Sequence, residues 1–313
     1  MTTSFKNKKR GNRLGFWFFR VSLSVFGLKG AYGLLYFVCL YYFLFDRTAV
    51  SAARAYIHRK FPKAGFWKSC FHIYMLLINQ GKQLIDRYAA VSGQVNFDMR
   101  VNGYERLINI ADNSDQGFIL LTSHVGNWQI ALTALNKIGK KVYLLMRQED
   151  NPAVIETLQV GIEKGAIEII SPDQYMGGVI EIMNALKNRH IVSIMGDRSY
   201  GVNTLDIPFL GETAYFPYSA FSIAAAQGCP IVVLFAAKVD NMSYLVDVTS
   251  ILRPEYKGRT NKKEQLRCWV MSFAELIEAF VSKHPYQCFL FHDVWKKESV
   301  DGRATGQEFA GDS

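Results

Sequence analysis

The sequence has few cysteines and no spacing that would pair them. Its five cysteines are odd in number and widely spaced, and most lie inside apolar runs: Cys39, Cys70, Cys229, Cys268 and Cys288. This pattern excludes a disulfide framework and a zinc site, and it indicates reduced thiols in a protein that faces the cytoplasm. Repeats, low-complexity segments and a linker between globular domains are also missing. One large domain with short additions at its ends is therefore expected.

No nucleic-acid-binding module is recognisable, although the chain is basic. The formal net charge is +9, and aromatic residues make up 14% of the sequence. In the first 65 residues the basic positions are interleaved with Phe, Tyr and Leu. This combination suits an anionic membrane surface better than nucleic acid. An anionic membrane surface is expected as a partner, and nucleic acid is not.

The amino-terminal segment is basic and then strongly apolar. Residues 6–13 carry five basic charges, and an uncharged apolar run extends from Gly30 to Phe45. No small-residue cleavage site follows that run, so a retained membrane anchor is expected rather than a signal peptide. Sixteen helical residues extend about 24 Å, less than the roughly 30 Å of a hydrocarbon core. A full crossing and an interfacial placement both fit, and a buried core helix is disfavoured because basic residues flank the run on both sides.

Beyond the anchor, residues 48–91 have a helical pattern that puts Leu84 on the apolar face and Arg87 on the polar face. Short β-rich runs then alternate with helical ones. The predicted strands are 118–122, 142–146, 167–170, 191–195, 231–237 and 244–249, and the predicted helices are 127–138, 152–164, 175–187, 218–227 and 262–283. This alternation predicts an α/β fold with a mixed, largely parallel sheet flanked by helices.

A single histidine follows a predicted buried strand in the stretch from Leu120 to Gln129. The strand ends near His124, and the chain turns through Gly126 into a helix that Asn127 can cap. Ligands of open α/β sheets bind at the carboxyl ends of strands, and free N–H groups of a first helical turn suit an oxyanion or a phosphate. A neutral imidazole there can take a proton from an attacking hydroxyl or amine. A histidine merely satisfied within the core is the alternative, which these surroundings disfavour.

The same stretch carries a family resemblance. Four residues separate His124 from Gln129, which resembles the H-x4-[D/E] signature of the lysophospholipid acyltransferase superfamily. Further segments resemble its lipid A late acyltransferase (lauroyl/myristoyl acyltransferase) branch, in order and at plausible spacing: 142–147, 176–178, 193–198, 207–212, 228–231, 284–287 and 291–295. The resemblance covers about residues 15–297. It implies a glycerol-3-phosphate acyltransferase-like fold with an N-terminal membrane-associated helix.

The sequence pattern predicts a domain division, and the resemblance implies an activity. Residues 1–47 would be the basic N-terminus and anchor helix, 48–297 the acyltransferase domain, and 298–313 a flexible tail. A fatty acyl group would move from an acyl carrier protein or coenzyme A thioester to a membrane lipid, glycolipid or other amphipathic acceptor, as in lipid A biosynthesis. The expected location is the cytoplasmic side of a bacterial inner membrane, and no cofactor or metal is expected.

Several residues take roles from the resemblance. His124 would be the general base of a direct transfer without a covalent acyl-enzyme. Arg147, Asp197 and Arg198 follow predicted strands, so they would bind the acceptor or stabilise negative charge. Asn127 and Glu212 are the further candidates for substrate binding. A surface ion pair of Arg147 with an acidic neighbour, and a mutual ion pair of Asp197 and Arg198, are the structural alternatives.

The family's acid position is held by Gln129, which cannot carry the negative charge that stabilises an imidazolium. The predicted helix 127–138 contains no acidic residue. Alternatively, the Gln129 carbonyl accepts a hydrogen bond from the imidazole and keeps the correct tautomer, so Gln129 stays a catalytic candidate beside His124. A substitute carboxylate would otherwise come from another segment: Glu149, Asp150, Asp197 or Glu212.

Two other functions remain open. The first is a non-catalytic lipid- or acyl-carrier-binding protein of the same fold, against which the retention of His124, Arg147, Asp197 and Arg198 argues. The second is a hydrolase, which would need a nucleophile elbow. The sequence contains no G-x-S-x-G motif, and Ser123 directly before the histidine is poorly placed for a triad.

Overall fold

The computed structural model describes residues 13–113, 115–135, 138–146, 167–173, 175–198, 203–290 and 294–296. Three helices come first, α1 (Arg13–Phe45), α2 (Arg47–Lys60) and α3 (Phe66–Val91). The helical pattern predicted for 48–91 is therefore two helices. Pro62 explains the division, because the residue before a proline is pushed out of the helical conformation.

Helix α1 bends at Gly27, whose φ is 64°, and runs antiparallel along α3. The Arg20 guanidinium lies 5.1 Å from the ring centroid of Tyr88, and the Phe43 ring lies 6.1 Å from that of Tyr74. One side of α1 is buried: Leu28, Ala31, Tyr32, Leu35 and Cys39. The other side is exposed: Val25, Phe26, Phe37, Tyr41, Leu44 and Phe45. The stretch 18–45 is the one helix in the described part of the chain that could cross a membrane by length and composition.

The central sheet contains six strands, β2 (Phe118–Thr122), β3 (Val142–Leu145), β4 (Ile167–Ile170), β5 (Ile191–Met195), β8 (Ile231–Val233) and β11 (Ile251–Leu252). Their order is β11-β8-β2-β5-β3-β4, and all neighbours are parallel except β11 and β8. Strand β2 lies in the middle and is buried along its whole length. The predicted mixed, largely parallel sheet is confirmed, and β2, β4 and β5 have their predicted bounds.

A second sheet has the order β1-β10-β9, formed by β1 (Asp98–Asn102), β9 (Phe235–Lys238) and β10 (Ser243–Asp247). Only Leu234 separates β8 from β9, so one stretch of chain joins the two sheets. An antiparallel hairpin of β6 (Thr204–Phe209) and β7 (Glu212–Pro217) turns at Leu210 and Gly211, both with positive φ. Strand β1 and this hairpin were not predicted from the sequence.

The remaining described α-helices pack around these sheets, and a 3-10 helix, Tyr175–Gly178, precedes one of them. They are α4 (Tyr104–Asn113), α5 (Trp128–Leu135), α6 (Val179–Lys187), α7 (Ser219–Gln227), α8 (Lys262–Gln265) and α9 (Arg267–Lys283). Helix α4 was not predicted, and the predicted helix 262–283 is divided into α8 and α9. The predicted helix 152–164 and the tail 298–313 lie outside the described residues.

Candidate active site

The site lies where two central strands end at the same edge of the sheet. Strands β2 and β5 are parallel neighbours, with Thr122 opposite Met195 at their carboxyl ends. His124 follows β2 by two residues, and Asp197 follows β5 by two residues. Because parallel neighbours in register end together, the strand order brings these two side chains to one place.

His124 and Asp197 form a hydrogen-bonded pair. The His124 Nδ1 atom lies 3.1 and 3.2 Å from the two carboxylate oxygens of Asp197, and the His124 backbone N–H donates to Oδ2 at 2.6 Å. The Asp197 side chain is entirely buried, whereas a quarter of the His124 side chain is exposed. With the Nδ1 proton directed at the carboxylate, Nε2 is the acceptor of the neutral ring. Among the described residues Nε2 has no hydrogen-bond partner, so it is free to take a proton.

Glycines on both sides of the pair allow close packing. Gly126 has a φ of 62°, and a Cβ there would lie 2.1 Å from the Ala236 carbonyl oxygen. At Gly196, directly before Asp197, a Cβ would lie 2.6 Å from a ring carbon of Phe273. Both glycines are therefore required by the positions of their neighbours, and any larger residue would displace the turn or the carboxylate.

Backbone hydrogen bonds fix the turn between β2 and α5. The Gly126 N–H donates to the Gln287 carbonyl at 2.7 Å, and the Asn127 N–H donates to the Ala236 carbonyl at 2.8 Å. The His124 carbonyl accepts from the Phe289 N–H at 2.7 Å. The turn is thus held from two other segments, one at β9 and one after α9.

Asn127 caps α5 as the sequence predicts. Its Oδ1 accepts the Ile130 N–H at 3.4 Å, and its Nδ2 donates to the Gln83 carbonyl at 3.1 Å. Because the side chain is buried and engaged inside the protein, a direct contact with substrate stays a prediction. The N–H groups of Trp128 and Gln129 have no partner among the described residues, so they are free donors at the positive end of the helix.

Gln129 does not take the place of the missing acid. It is half-buried in the first turn of α5, and in the described part of the chain it makes no hydrogen bond with the His124 ring. The carboxylate at Nδ1 belongs to Asp197, which is one of the four substitutes considered from the sequence. Asp197 is not paired with Arg198, which is exposed, so the alternative of a mutual ion pair is not found between these two described residues.

Glu212 lies on the hairpin and is engaged with α2. Its Oε2 accepts from Arg59 Nε at 2.9 Å and from Arg59 Nη2 at 2.7 Å, and that guanidinium lies 4.1 Å from the Trp295 ring centroid. No described hydrogen bond or ion pair joins Glu212 to His124 or Asp197. The substrate-binding role of Glu212 stays a prediction. Arg147, Glu149 and Asp150 lie outside the described residues, so their roles stay predictions as well.

Ser123 does not form the serine–histidine pair of a hydrolase. Its hydroxyl oxygen is buried and has no hydrogen-bond partner among the described residues. A serine nucleophile needs a base within hydrogen-bond reach and access to its substrate. The geometry therefore agrees with the absence of a nucleophile elbow in the sequence.

A buried polar cluster close to the site was missed by the sequence reasoning. Asp86 of α3 forms an ion pair with Lys238 of β9 at 2.5 Å and accepts hydrogen bonds from the hydroxyls of Tyr32 and Tyr244. The partners are 54 to 158 residues from Asp86 along the chain. No local pattern can signal contacts over such separations.

Comparison with known proteins bears on the family of this chain. The chain is similar to the crystal structure of the 1-acyl-sn-glycerophosphate (LPA) acyltransferase PlsC from Thermotoga maritima, with 13% identity and a TM-score of 0.36, covering 79% of this chain and 98% of that one. No curated protein matches the sequence. The family model for the bacterial lipid A biosynthesis acyltransferase matches residues 82–297, which include His124 and Asp197. Because this match spans more than half of the chain, the protein belongs to the bacterial lipid A biosynthesis acyltransferase family.

Proposed function

We propose that the protein transfers a fatty acyl group from an acyl thioester to a lipid, glycolipid or other amphipathic acceptor. The donor thioester is carried by acyl carrier protein or coenzyme A, and the reaction takes place at the cytoplasmic face of a bacterial inner membrane. Family membership supports acyl transfer. The hydrogen bond between His124 Nδ1 and the buried Asp197 carboxylate is the observation that carries the proposal, because it leaves Nε2 as the proton acceptor of a side chain that is a quarter exposed.

In the proposed reaction, His124 acts as the general base. Its Nε2 takes the proton from the acceptor hydroxyl or amine while that oxygen or nitrogen attacks the thioester carbonyl. The tetrahedral intermediate then collapses, the carbon–sulfur bond breaks, and the imidazolium gives the proton to the departing thiolate. Asp197 keeps Nδ1 protonated and stabilises the imidazolium, as the buried aspartate of a serine-protease triad does. No covalent acyl-enzyme is formed.

The thioester oxygen becomes negatively charged in this reaction and needs hydrogen-bond donors. The unpartnered N–H groups of Trp128 and Gln129 are the nearest candidates in sequence to His124, and they lie at the positive end of α5. Preorganised backbone donors of this kind stabilise a developing oxyanion without reorganisation. Gln129 then contributes through its backbone, which does not require an acidic side chain.

The test uses the purified full-length protein in detergent micelles. Bacterial membrane lipids are supplied as acceptor, with either acyl carrier protein or coenzyme A thioesters as donor, and mass spectrometry detects lipids heavier by one acyl unit. We expect His124→Ala to lower the transfer rate about 10²–10⁴-fold, the usual contribution of a general base. His58→Ala is the control, because His58 is exposed on α2. Full activity of His124→Ala would reject the mechanism, and an inactive wild-type protein that still binds acyl carrier protein would favour the non-catalytic alternative.

For the membrane contact, we propose that α1 lies in the bilayer interface instead of crossing the bilayer. The inward side of α1 packs on α3, where the Lys82 amino group lies 5.1 Å from the Tyr32 ring centroid. If α1 crossed the bilayer, charged side chains of α3 would be drawn into hydrocarbon at a high cost in free energy. The end of α1 is near the start of α3, and both present exposed aromatic residues: Phe37, Tyr41, Phe45, Phe66, Trp67 and Phe71. Aromatic side chains beside basic residues favour an anionic interface.

A double variant tests this placement. Phe37→Ser with Tyr41→Ser removes two outward-facing aromatic side chains, each of which contributes on the order of 1–3 kcal/mol when buried. We expect binding to vesicles containing anionic lipid, measured by flotation, to fall about tenfold or more. Retention of the wild-type protein in membranes after an alkaline carbonate wash would instead indicate a helix that crosses the bilayer.

A further inference from the structure

Asp86 is the centre of a polar cluster buried between the first helices and the second sheet. Its Oδ1 accepts a hydrogen bond from the hydroxyl of Tyr32 on α1. Its Oδ2 accepts hydrogen bonds from the hydroxyl of Tyr244 on β10 and from the amino group of Lys238 on β9. The Asp86 side chain is 0% exposed and that of Lys238 is 7% exposed. We call these four residues, Tyr32, Asp86, Lys238 and Tyr244, the Asp86 cluster.

Burying the charges of the Asp86 cluster costs free energy that apolar packing between the same helices would not cost. Moving a carboxylate and an ammonium out of water costs several kcal/mol for each ion, and apolar side chains of similar volume would often stabilise the fold as well. Burial lowers the pKa of Lys238, while the Asp86 charge opposes that shift. Burial and the Asp86 charge raise the pKa of Tyr244, so its hydroxyl remains a donor. What the cluster provides, compared with apolar packing, is a set of directed contacts.

Hydrogen bonds connect the Asp86 cluster to the turn that follows His124. The Tyr244 hydroxyl oxygen lies 3.5 Å from Asn127 Nδ2, which also donates to the Gln83 carbonyl one helical turn from Asp86. Asn127 is therefore held jointly by α3 and by the tyrosine that donates to Asp86.

Gln287 makes a second connection. Its Oε1 accepts from the Lys238 backbone N–H at 2.8 Å and from Gln83 Nε2 at 3.2 Å, and its Nε2 donates to the Lys238 carbonyl at 2.8 Å. The Gln287 backbone carbonyl accepts the Gly126 N–H at 2.7 Å. Both residues that follow Val125 in the turn are thus bonded to groups that the Asp86 cluster holds.

We infer that Tyr32 and Asp86 are positioning residues for acyl transfer, which act on His124 through Asn127 and Gln287. This inference rests on the proposed function. It makes the inward side of α1 part of the catalytic unit, so that α1 supports the active-site turn as well as touching the membrane. A 1 Å displacement of a base can lower a rate about 100-fold, so a small relaxation of the turn is sufficient to affect turnover.

Two tyrosines at the junction of α1 and α3 give a matched comparison. The Tyr32 hydroxyl donates to Asp86, whereas the Tyr74 hydroxyl donates to the Tyr36 carbonyl at 2.9 Å and has no described contact leading to the turn. Tyr32→Phe and Tyr74→Phe each remove one hydroxyl between the same two helices. They differ in the connection to Asn127.

The experiment compares both variants as full-length proteins in detergent micelles. We expect Tyr32→Phe to lower kcat about tenfold with KM for the thioester unchanged, and Tyr74→Phe to change kcat less than about twofold. A purely structural role would lower the melting temperature, more in Tyr32→Phe because its hydrogen bond is buried, and would leave kcat of the folded protein unaltered. Equal kcat values for the two variants would overturn the inference.

A second measurement does not depend on transferase activity. Hydrogen exchange followed by mass spectrometry reports the protection of the Gly126 and Asn127 amides. We expect faster exchange there in Tyr32→Phe, and wild-type exchange in Tyr74→Phe. If the wild-type protein transfers no acyl group but this difference is seen, the proposed function fails while the positioning of the turn stands. Identical exchange in the two variants overturns the positioning, whatever the activity.

Discussion

Asp197 and Asp86 have equally buried side chains, yet the two carboxylates are partnered in different ways. Among the described residues, Asp197 accepts hydrogen bonds only from His124, through the ring Nδ1 and the backbone N–H, and the His124 side chain is partly exposed. Asp86 accepts from an ammonium and two tyrosine hydroxyls, all inside the protein. One carboxylate thus faces a group that can gain a proton during a reaction, and the other faces three donors that are enclosed by the protein.

Because of this difference, we expect Asp197 to affect the rate of the reaction and Asp86 to affect the stability and geometry of the protein. A buried carboxylate beside a solvent-accessible imidazole lowers the free energy of the imidazolium when it forms, so its effect falls on the rate. A buried carboxylate paired with a lysine keeps that charge compensated, so its effect falls on stability and geometry. Removing each charge in turn should therefore give different losses.

The largest effect is expected for Asp197→Asn. An amide carries no charge to stabilise the imidazolium and can present its NH₂ group to Nδ1, which selects the wrong tautomer. The equivalent change in a serine-protease triad lowers kcat about 10⁴-fold, and we expect a loss of similar size in acyl transfer. Single-turnover kinetics with a saturating thioester donor measures it.

Asp206→Asn is the control for that variant. Asp206 lies on β6 and forms a surface ion pair with Arg267 at 3.3 Å, with most of its side chain exposed. We expect its turnover to match the wild-type protein. If Asp197→Asn keeps more than about a tenth of the wild-type kcat, Asp197 is not the partner that the reaction uses.

The next effect in size is expected for Asp86→Asn, and it concerns stability. The change leaves the Lys238 ammonium buried without its ion-pair partner, which costs about 3–5 kcal/mol. Denaturant unfolding of the full-length protein measures the loss. Asp98→Asn is the control, because the ion pair of Asp98 with Arg100 is mostly exposed and surface pairs contribute about 0–1 kcal/mol.

A double variant separates charge from shape in the same cluster. Asp86→Asn with Lys238→Met removes both charges, so no uncompensated ion is left inside the protein. We expect the double variant to be more stable than Asp86→Asn alone. Equal or lower stability of the double variant would show that the loss comes from packing and not from the unpaired ammonium.

The two aspartates were also predictable to different degrees. Both His124 and Asp197 follow strands whose bounds the sequence indicates, and such positions meet at one edge of a parallel sheet. Four carboxylates remained as candidates because strand order is a tertiary property. Only the adjacency of β2 and β5 brings Asp197 to the ring.

The Asp86 cluster could not be predicted, because the apolar pattern of α3 assigns some of its residues to the wrong face. Apolar periodicity assigns Leu84 to the buried side and Arg87 to the exposed side, whereas Leu84 is 53% exposed and Arg87 is buried. Helix α3 packs against α1 on one side and the second sheet on another, so its buried surface is wider than a single apolar stripe. Apolar periodicity predicts the buried face of a helix that lies between the core and solvent. It does not predict the buried faces of a helix that packs against other parts of the protein on two sides.

The smallest effect is expected for Gln129→Glu, although position 129 is where the sequence departs from its family. Restoring the acid adds a second negative charge near a ring whose Nδ1 already has a carboxylate at 3.1 Å, and Gln129 makes no described hydrogen bond to that ring. We expect kcat to change less than about threefold, measured under the conditions used for Asp197→Asn. A rise of tenfold or more would mean that the missing charge at position 129 limits the rate and that Asp197 substitutes for it only in part. Gln129→Ala completes the comparison, because wild-type activity is expected if position 129 contributes only its backbone N–H.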